Sequence, residues 1–346
     1  MSHLARNDSY KPALFWLCAG VLVWSALGLL AGGWTTTING GMAFLDWPLS
    51  NGSVNPDGFL KMDAAGEFVA PDKNAEHLHR LLMGFLGLFC IGIAGWTHYA
   101  ESRAWVRKIA YGLPALVLFQ GVLGGARVLF DPMNFKDLSG SVSRTFAISH
   151  AVTALLTVGL LTLLVTAQSR RWFRPATPET PVGDGLRKFA VFTAVAIWIQ
   201  ALLGALVRQH RWSIWDMAGR KPDAETLPYL GEWATGKFLA RMSSGWPFAL
   251  NAAHRIGALV VTLLVAALVT RILTDAKARR AAGVVAGALA LAILAQVSLG
   301  VIQIWFNANT AARNAHHLGG ALVFCLAASV AMYANRDAIL AKNHRA

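Results

Sequence analysis

Long apolar segments constrain the fold of this chain more than any other feature. They run for about 18 to 25 residues without acidic side chains, the length an α-helix needs to cross the hydrocarbon core of a bilayer. We predict eight such spans, at about residues 13–31, 78–99, 108–129, 146–167, 189–208, 247–270, 283–305 and 314–334. With 55% hydrophobic and 14% charged residues, the composition excludes a soluble enzyme. The predicted fold class is an all-α, polytopic membrane protein.

The net charge of +13 predicts membrane topology rather than nucleic-acid binding, because the excess of cations over acids lies on one side of the predicted spans. With an even number of spans, both termini share that side. Its loops contain the densest basic clusters, which are Arg170, Arg171, Arg174, Arg187, Lys188, Arg279 and Arg280. Since basic loops stay in the cytoplasm, we predict a multi-pass inner (plasma) membrane protein, N-in and C-in. A signal peptide ending at Ala31-Gly32-Gly33 is the alternative, but the first apolar run is longer than a signal core.

The two halves of the chain share a set of motifs in the same order. The matched pairs are Gln120 to Gly124 with Gln296 to Gly300, His79-Arg80 with His254-Arg255, and Ser149-His150 with Ala315-His316. This order predicts a four-helix repeat, with two bundles of parallel topology. The predicted division is an N-terminal half at residues 1–170, a cytoplasmic linker at 171–188 and a C-terminal half at 189–346.

Four histidines lie near the starts of the even-numbered spans, namely His79, His150, His254 and His316. These spans all enter the membrane from the outside, so the four side chains should share one depth. Ionisable residues inside spans are functional candidates, and two imidazoles facing each other across a bundle can ligate a haem iron. We predict one haem site in each half, with these histidines as metal ligands. A hydrogen-bonded core histidine is the alternative for each, His317 is a rival to His316, and His77 is predicted to be interfacial.

Small residues follow three of these histidines by three or four positions. They are Ala154, Gly257, Ala258, Gly319 and Gly320. Small side chains on the ligand's own helical face would leave room for a flat macrocycle. The alternative is that they only let neighbouring helices approach closely.

Charged neighbours distinguish the two predicted sites. Arg80 and Arg255 each follow a proposed ligand and can bind haem propionates or extend to lipid headgroups. Glu76 lies one turn from His79, whereas the second half has Asn251 at the corresponding place. We interpret this acid as a sign that the first site reacts and the second carries electrons. A helix N-terminal acid stabilised by the macrodipole is the alternative.

The first outer loop, about residues 32–77, is long for a membrane protein of this size and contains Asp46-Trp47-Pro48-Leu49 and Asn51-Gly52. Loops of that length are usually functional or disordered. Its aromatic content predicts a lid over the outer site. The three cysteines, Cys18, Cys90 and Cys325, fall within spans and are predicted to be small packing residues.

Together these segments resemble the haem A synthase family, the membrane enzymes that oxidise haem O to haem A for terminal oxidases. The matching segments extend over nearly the whole chain and are Asp46 to Leu49, Glu76 to Arg80, Gln120 to Gly124, Ser149-His150, His254-Arg255, Gln296 to Gly300 and Ala315-His316.

The resemblance implies a reaction at the porphyrin periphery, in which a methyl group of haem O becomes the formyl group of haem A. It places His79 and His150 at the substrate haem, makes Glu76 catalytic, and gives His254 and His316 to a haem b cofactor. The implied partners are haem O, membrane lipid, haem O synthase and terminal-oxidase assembly proteins. The alternatives are a membrane cytochrome b that only carries electrons and a transporter built from repeats.

Two positions depart from the family pattern. Ser50 stands where many bacterial members have a cysteine after Asp-Trp-Pro-Leu, so a thiol is absent there. Family members often have an arginine just after the first span, where this chain reads Gly33 to Thr37. Arg208, after the fifth span, keeps a comparable basic group in the second half.

Overall fold

The computed structural model describes residues 9–134, 140–174, 181–210, 246–305 and 310–343. Within them lie eight helices: α1 Pro12–Thr37, α2 Pro71–Ala100, α3 Ala104–Leu129, α4 Gly140–Gln168, α5 Asp184–Gln209, α6 Trp246–Thr274, α7 Ala276–Trp305 and α8 Thr310–Asn343. All eight are long and apolar enough to cross a membrane, which confirms the predicted all-α, eight-span class. Outside the helices, the described residues form only isolated β-bridges.

The helices extend beyond the predicted spans. α2 begins at Pro71 rather than near residue 78, and α4 begins at Gly140 rather than near 146. Pro71 suits the first position of a helix because its φ is already helical and its missing N–H has no intrahelical partner there. An apolar run marks only the part of a helix that lies in hydrocarbon, so the pattern underestimates how far the backbone stays helical.

The first four helices form a closed ring. α1 packs against α2 and α4, and α3 packs against the same two helices. The ring encloses a fully apolar centre that includes Leu14, Ile93 and Leu161. Cys18 and Cys90 are also fully buried with free thiols.

A buried ion pair fixes the junction between α2 and α3. Glu101, directly after α2, is 2% exposed and accepts hydrogen bonds from Arg103 Nε at 2.8 Å and Arg103 Nη2 at 2.7 Å. Gln168, at the end of α4, donates to the same carboxylate at 2.7 Å. Three helix ends are thereby connected through one buried acid.

The chain divides into two compact units, Met1–Arg187 with Ala328–Ala346, and Lys188–Ala327. The last part of α8 belongs to the first unit, where Tyr333 Oη lies 2.8 Å from Ser169 Oγ and Arg336 Nε donates to Trp172 O at 2.9 Å. In the second unit, α6 packs against α7. The arrangement as two four-helix bundles stays a prediction, and residues 175–180 of the predicted linker lie outside the described residues.

Candidate functional site

α2 and α4 bring His79 and His150 together inside the first unit. Their ring centroids are 6.4 Å apart and the ring planes are nearly perpendicular, at 88°. Each Nδ1 lies 3.0 Å from a backbone carbonyl oxygen, Gly28 O for His79 and Gln120 O for His150. A carbonyl only accepts, so Nδ1 carries the proton and Nε2 keeps its lone pair. Within the described chain neither Nε2 has a hydrogen-bond partner.

This pair of imidazoles fits axial ligation of a haem iron. Two metal–nitrogen bonds of about 2 Å, together with the half-widths of the rings, separate axial imidazole centroids by about 6 Å. The Nδ1–H···O=C bonds supply the outer hydrogen bonds that orient metal-bound histidines. No group of three or more His, Cys, Asp or Glu side chains that could hold an ion occurs among the described residues. An ion held by these two rings therefore needs further ligands of its own, which a porphyrin provides.

Each of the four histidines faces a glycine on the helix that precedes it. A Cβ added to that glycine would lie close to ring Cε1, at 2.7 Å for Gly32 and His79, 3.5 Å for Gly124 and His150, 3.0 Å for Gly204 and His254, and 3.2 Å for Gly300 and His316. At the closest of these positions only glycine lets the ring lie against the helix backbone. We call these four positions the glycine seats.

A glutamine stands one turn before three of the glycine seats. In the second unit Gln200 Nε2 donates to His254 O at 2.6 Å and lies 3.0 Å from His254 Nδ1. Gln296 Nε2 donates to His316 O at 3.0 Å. Gln120 can make the equivalent contact with His150. Its amide nitrogen lies 3.0 Å from the His150 carbonyl oxygen when the amide is turned so that the nitrogen faces this carbonyl and the oxygen faces Thr153.

The recurring element is therefore Gln-x-x-x-Gly on one helix and a histidine on the next. Sequence analysis identified the copies that begin at Gln120 and Gln296 but missed the copy at Gln200 and Gly204. The same spacing on the fifth span was the signal that could have revealed it.

The small residues after the histidines have a different role from the one predicted. A Cβ at Gly257 would collide with Gln200 Oε1, and a Cβ at Gly319 would collide with Gln296 Oε1. These two glycines accommodate the glutamine amides, which the sequence did not predict, because a helical face shows that space exists but not which side chain fills it. Space for a macrocycle beside the small residues stays a prediction.

His79 is the exception to the glutamine pattern. Gly28 occupies the position one turn before the seat at Gly32. The Met83 methyl group, from α2, fills the place where a Gly28 side chain would begin. The volume that a glutamine fills elsewhere is thus filled here from the opposite helix, and the His79 ring is supported by a backbone carbonyl alone.

The second unit also brings its two histidines into electrostatic contact, His254 with His316. His316, and not His317, lies against Gly300 and is bonded by Gln296. His316 Nδ1 is buried without a hydrogen-bond partner among the described residues. A buried, unsatisfied imidazole nitrogen is costly and is the kind of atom that a metal would satisfy, so this donor set also fits a haem. Arg255 lies within electrostatic range of His254.

Glu76 and Arg80 attach the first outer loop to α2. Glu76 is 5% exposed and accepts the backbone N–H of Ala43 at 2.8 Å and of Phe44 at 3.3 Å on Oε2. Arg80 Nη2 donates to Glu76 Oε1 at 2.5 Å. Arg80 Nη1 donates to Asp46 O at 2.8 Å and also to the carbonyl of the loop residue Leu49.

The Asp46-Trp47-Pro48-Leu49 segment rests on α3. A Cβ at Gly125 would lie 2.7 Å from Trp47 Cδ2, so the indole lies directly on the helix backbone. Asp46 accepts the N–H groups of Gly52, at 2.7 Å, and of Asn51, at 2.9 Å. Burial raises the pKa of Asp46, but these backbone hydrogen bonds outweigh it and hold the pKa below its usual value. The loop is thereby folded on itself and held against both α2 and α3.

His77 is buried rather than interfacial. It is 3% exposed, its Nδ1 lies 2.9 Å from Ser50 Oγ, and Phe59 packs edge-on against its ring at 4.6 Å between centroids. Helical periodicity placed His77 away from His79 but did not show that the loop folds over that face. Ser50 is itself fully buried and is part of this contact.

Arg127, near the end of α3, is a charged group that sequence analysis did not single out. It lies within electrostatic range of His79, His150 and Glu76. Arg127 follows the glycine seat Gly124 by three residues and so lies on the same face of α3. This spacing could have identified it from the sequence.

Comparison with known proteins identifies the family of this chain. The family model described as cytochrome oxidase assembly protein, COX15-CtaA, matches residues 67–328. A haem A synthase of Shewanella oneidensis is 25% identical over 332 residues, which cover 90% of this chain and 93% of that protein. A haem A synthase of Shouchella clausii is 26% identical, with 92% and 94% covered. One from Symbiobacterium thermophilum is 28% identical over 243 residues, 69% of each chain.

The matched region contains all four histidines, three of the four glycine seats, the three glutamines and the Glu76–Arg80 pair, in the order in which the structure uses them. With this match over most of its length, the chain belongs to the COX15-CtaA family of cytochrome oxidase assembly proteins.

Proposed function

We propose that this protein is a haem A synthase, which oxidises a methyl group of haem O to the formyl group of haem A for terminal oxidases. The observation that carries the proposal is the opposed pair of imidazoles, His79 and His150, beside an acid, Glu76, that the second half lacks. The relatives named haem A synthase support the same reaction.

In this proposal the first unit binds haem O as substrate. His79 and His150 would hold its iron through Nε2, and their Nδ1–H bonds to backbone carbonyls keep both rings oriented. The outer loop, held by Glu76 and Arg80, covers this region and limits the access of water.

Glu76 is the proposed catalytic acid–base group. It lies one turn from His79, and its carboxylate is positioned by Ala43, Phe44 and Arg80. A carboxylate held in this way can accept a proton released from the porphyrin periphery during oxidation. Glu76 also holds the outer loop over the site through Ala43 and Phe44. The same acid therefore serves both the proposed chemistry and the closure of the site.

The second unit is proposed to hold haem b. His254 and His316 would ligate its iron, with Gln200 and Gln296 donating to their backbone carbonyls and Arg255 as a candidate contact for its propionates. A bound haem b supplies one-electron transfer. The site has Asn251 instead of an acid at the Glu76 position, which suits a cofactor rather than a substrate.

The proposed setting is the plasma membrane, with both termini in the cytoplasm. The basic clusters of the even-numbered connections support this orientation. Because haem O is apolar and membrane-bound, the proposed partners are the haem O synthase that supplies it and the assembly proteins of the terminal oxidase that receives haem A.

Haem conversion in membranes tests this proposal. The protein is expressed in cells that make haem O but no haem A, and extracted haems are separated by chromatography. We expect haem A with the wild-type chain and with Glu67→Gln, an exposed carboxylate of the outer loop that serves as the matched control. Glu76→Gln and His79→Ala should leave haem O unconverted.

Two results would count against the proposal. Unchanged conversion by Glu76→Gln and His79→Ala would remove the assigned roles. Reversible haem reduction with haem B alone in wild-type extracts would instead identify an electron-carrying cytochrome b.

A further inference from the structure

We propose that Arg127 binds a carboxylate of the haem held between His79 and His150, and so sets the orientation of the porphyrin in the first site. The inference rests on the proposed function and adds a specificity-determining residue to it. Its basis is the position of Arg127 on α3, the contact of its guanidinium with Gly41 of the outer loop, and the placement of the comparable arginine of the second unit on a non-equivalent helix.

Arg127 lies on the face of α3 that meets His150. It follows Gly124, the seat of that ring, by three residues and Gln120 by seven, so the three share one side of the helix. Arg127 lies about one turn closer to the C-terminal end of α3 than Gly124 does. Arg127 also lies within electrostatic range of both His79 and His150.

The outer loop covers this guanidinium. Arg127 Nη2 lies 2.7 Å from where a Cβ of Gly41 would be, so the loop packs directly on the guanidinium. A half-buried guanidinium loses part of its hydration, and an anionic partner offsets this cost. The acids in its range are Glu76 and Asp131.

Those two acids already serve other donors. Glu76 accepts from Arg80 and from the backbone of Ala43 and Phe44, and Asp131 accepts the backbone N–H of Met133 at 3.1 Å. A porphyrin carboxylate near the gap between the rings would give Arg127 an anionic partner of its own, in the paired geometry that guanidinium groups favour.

The second unit has one arginine in a comparable place, but on another helix. Arg208 follows the seat Gly204 by four residues and is in electrostatic range of His316. The position that corresponds to Arg208 on α1 is Thr36, and the position that corresponds to Arg127 on α7 is Gln303. The positive group therefore lies on α3 in the first site and on α5 in the second, which predicts that the two porphyrins present their acidic edges toward non-equivalent helices.

The test compares two ligands that differ only in their carboxylates. Purified protein is titrated with iron protoporphyrin IX and with its dimethyl ester, and the Soret difference between wild type and His79→Ala isolates the first site. We expect the wild-type first site to prefer the free acid by about tenfold, the worth of a charge-assisted hydrogen bond. In Arg127→Gln the affinity for the acid should fall to that for the ester, while the affinity for the ester stays nearly unchanged.

Two further variants separate the outcomes. Arg127→Lys keeps the charge and should retain part of the preference, which shows that a loss in Arg127→Gln is not misfolding. Arg144→Gln, which removes an exposed cation from α4, should keep the acid-to-ester ratio. An unchanged ratio in Arg127→Gln, or an equal loss of the ratio in Arg144→Gln, would overturn this inference. Absence of any first-site Soret signal in the wild type would instead overturn the proposed function.

Discussion

At the scale of single residues, glycine and glutamine position the four imidazoles. A glycine seat lets each ring lie against the preceding helix. The residue one turn before the seat hydrogen-bonds the same histidine, through either a side-chain amide or a backbone carbonyl. At such a seat a methyl group pushes the ring, since packed interiors cannot yield by more than a few tenths of an ångström without strain.

The seat in the second unit gives a direct test of this role. Gly204→Val should displace the His254 ring, because a Cβ there lies 3.0 Å from Cε1. We expect the variant to fold but to lose about half of its haem per chain, at an overpacking cost of about 1 to 3 kcal/mol. Gly287→Val on α7, where a Cβ meets nothing within 4 Å, is the control. Equal haem content in the two purified variants would refute the seat.

At the scale of elements, the first outer loop is held to α2 by one acid and one base. Glu76 and Arg80 together bond four backbone groups of the loop, at Ala43, Phe44, Asp46 and Leu49. These two side chains attach the loop to α2, while hydrogen bonds within the loop, such as Asp63 N–H to Glu67 O at 2.9 Å, fold it on itself.

Loss of the Glu76 charge should make the loop more accessible to protease. Hydrogen bonds to a charged group are worth about 1.5 to 3 kcal/mol, and Glu76→Gln weakens those that hold the loop. When the loop must open before it is cut, trypsin should cleave after the exposed Lys61 about tenfold faster in this variant. Mass spectrometry of the fragments measures the rate in proteoliposomes. Glu67→Gln, in the same loop, should cleave at the wild-type rate, and a similar rate for Glu76→Gln would show that the acid does not hold the loop.

The junction of α2 and α3 predicts a pH dependence of stability. Burial raises the pKa of Glu101, but hydrogen bonds from Arg103 and the charge of its guanidinium outweigh this and hold the pKa below its usual value. A carboxyl with a lowered pKa in the folded state stabilises the protein above its unfolded pKa of about 4.3. That stabilisation is lost as the pH falls through the folded pKa.

Glu101→Gln should therefore lower the Tm most near neutral pH, since breaking a buried ion pair costs about 3 to 5 kcal/mol. The difference from wild type should shrink below about pH 4 as the wild-type carboxyl becomes protonated. Thermal unfolding in detergent across this pH range measures both effects. Asp184→Asn removes the exposed partner of Arg187 and should change the Tm little. A Tm difference that stays constant with pH would contradict the assignment.

At the scale of the whole molecule, apolar periodicity was enough to predict the eight spans, and the paired motifs were enough to identify the four histidines. Partners across helices could not be predicted in the same way. Gln200 was missed, and the amides that pack on Gly257 and Gly319 were not predicted, because periodicity gives the face of a helix but not the neighbour it meets. The contacts of Glu76 with the outer loop were not predicted either. A loop has no sequence periodicity that would indicate which helix it packs against.

The apolar pattern of the sequence also did not predict that α8 is divided between the two compact units. Its sequence is one continuous apolar helix, yet Ser329, Tyr333 and Arg336 belong to the first unit with α4 and the segment after it. Polar contacts of this kind follow from tertiary packing, and the hydropathy of a span does not encode them.

The central claim is that two pairs of imidazoles each bind a haem. Absorbance and low-temperature electron paramagnetic resonance of the purified protein, with haem quantified per chain, measure it most directly. We expect two low-spin, bis-imidazole haems per chain in the wild type, with loss of one in His79→Ala and of the other in His254→Ala. A preparation from haem-replete cells without Soret absorbance, or with a haem spectrum unchanged in both variants, would contradict the account.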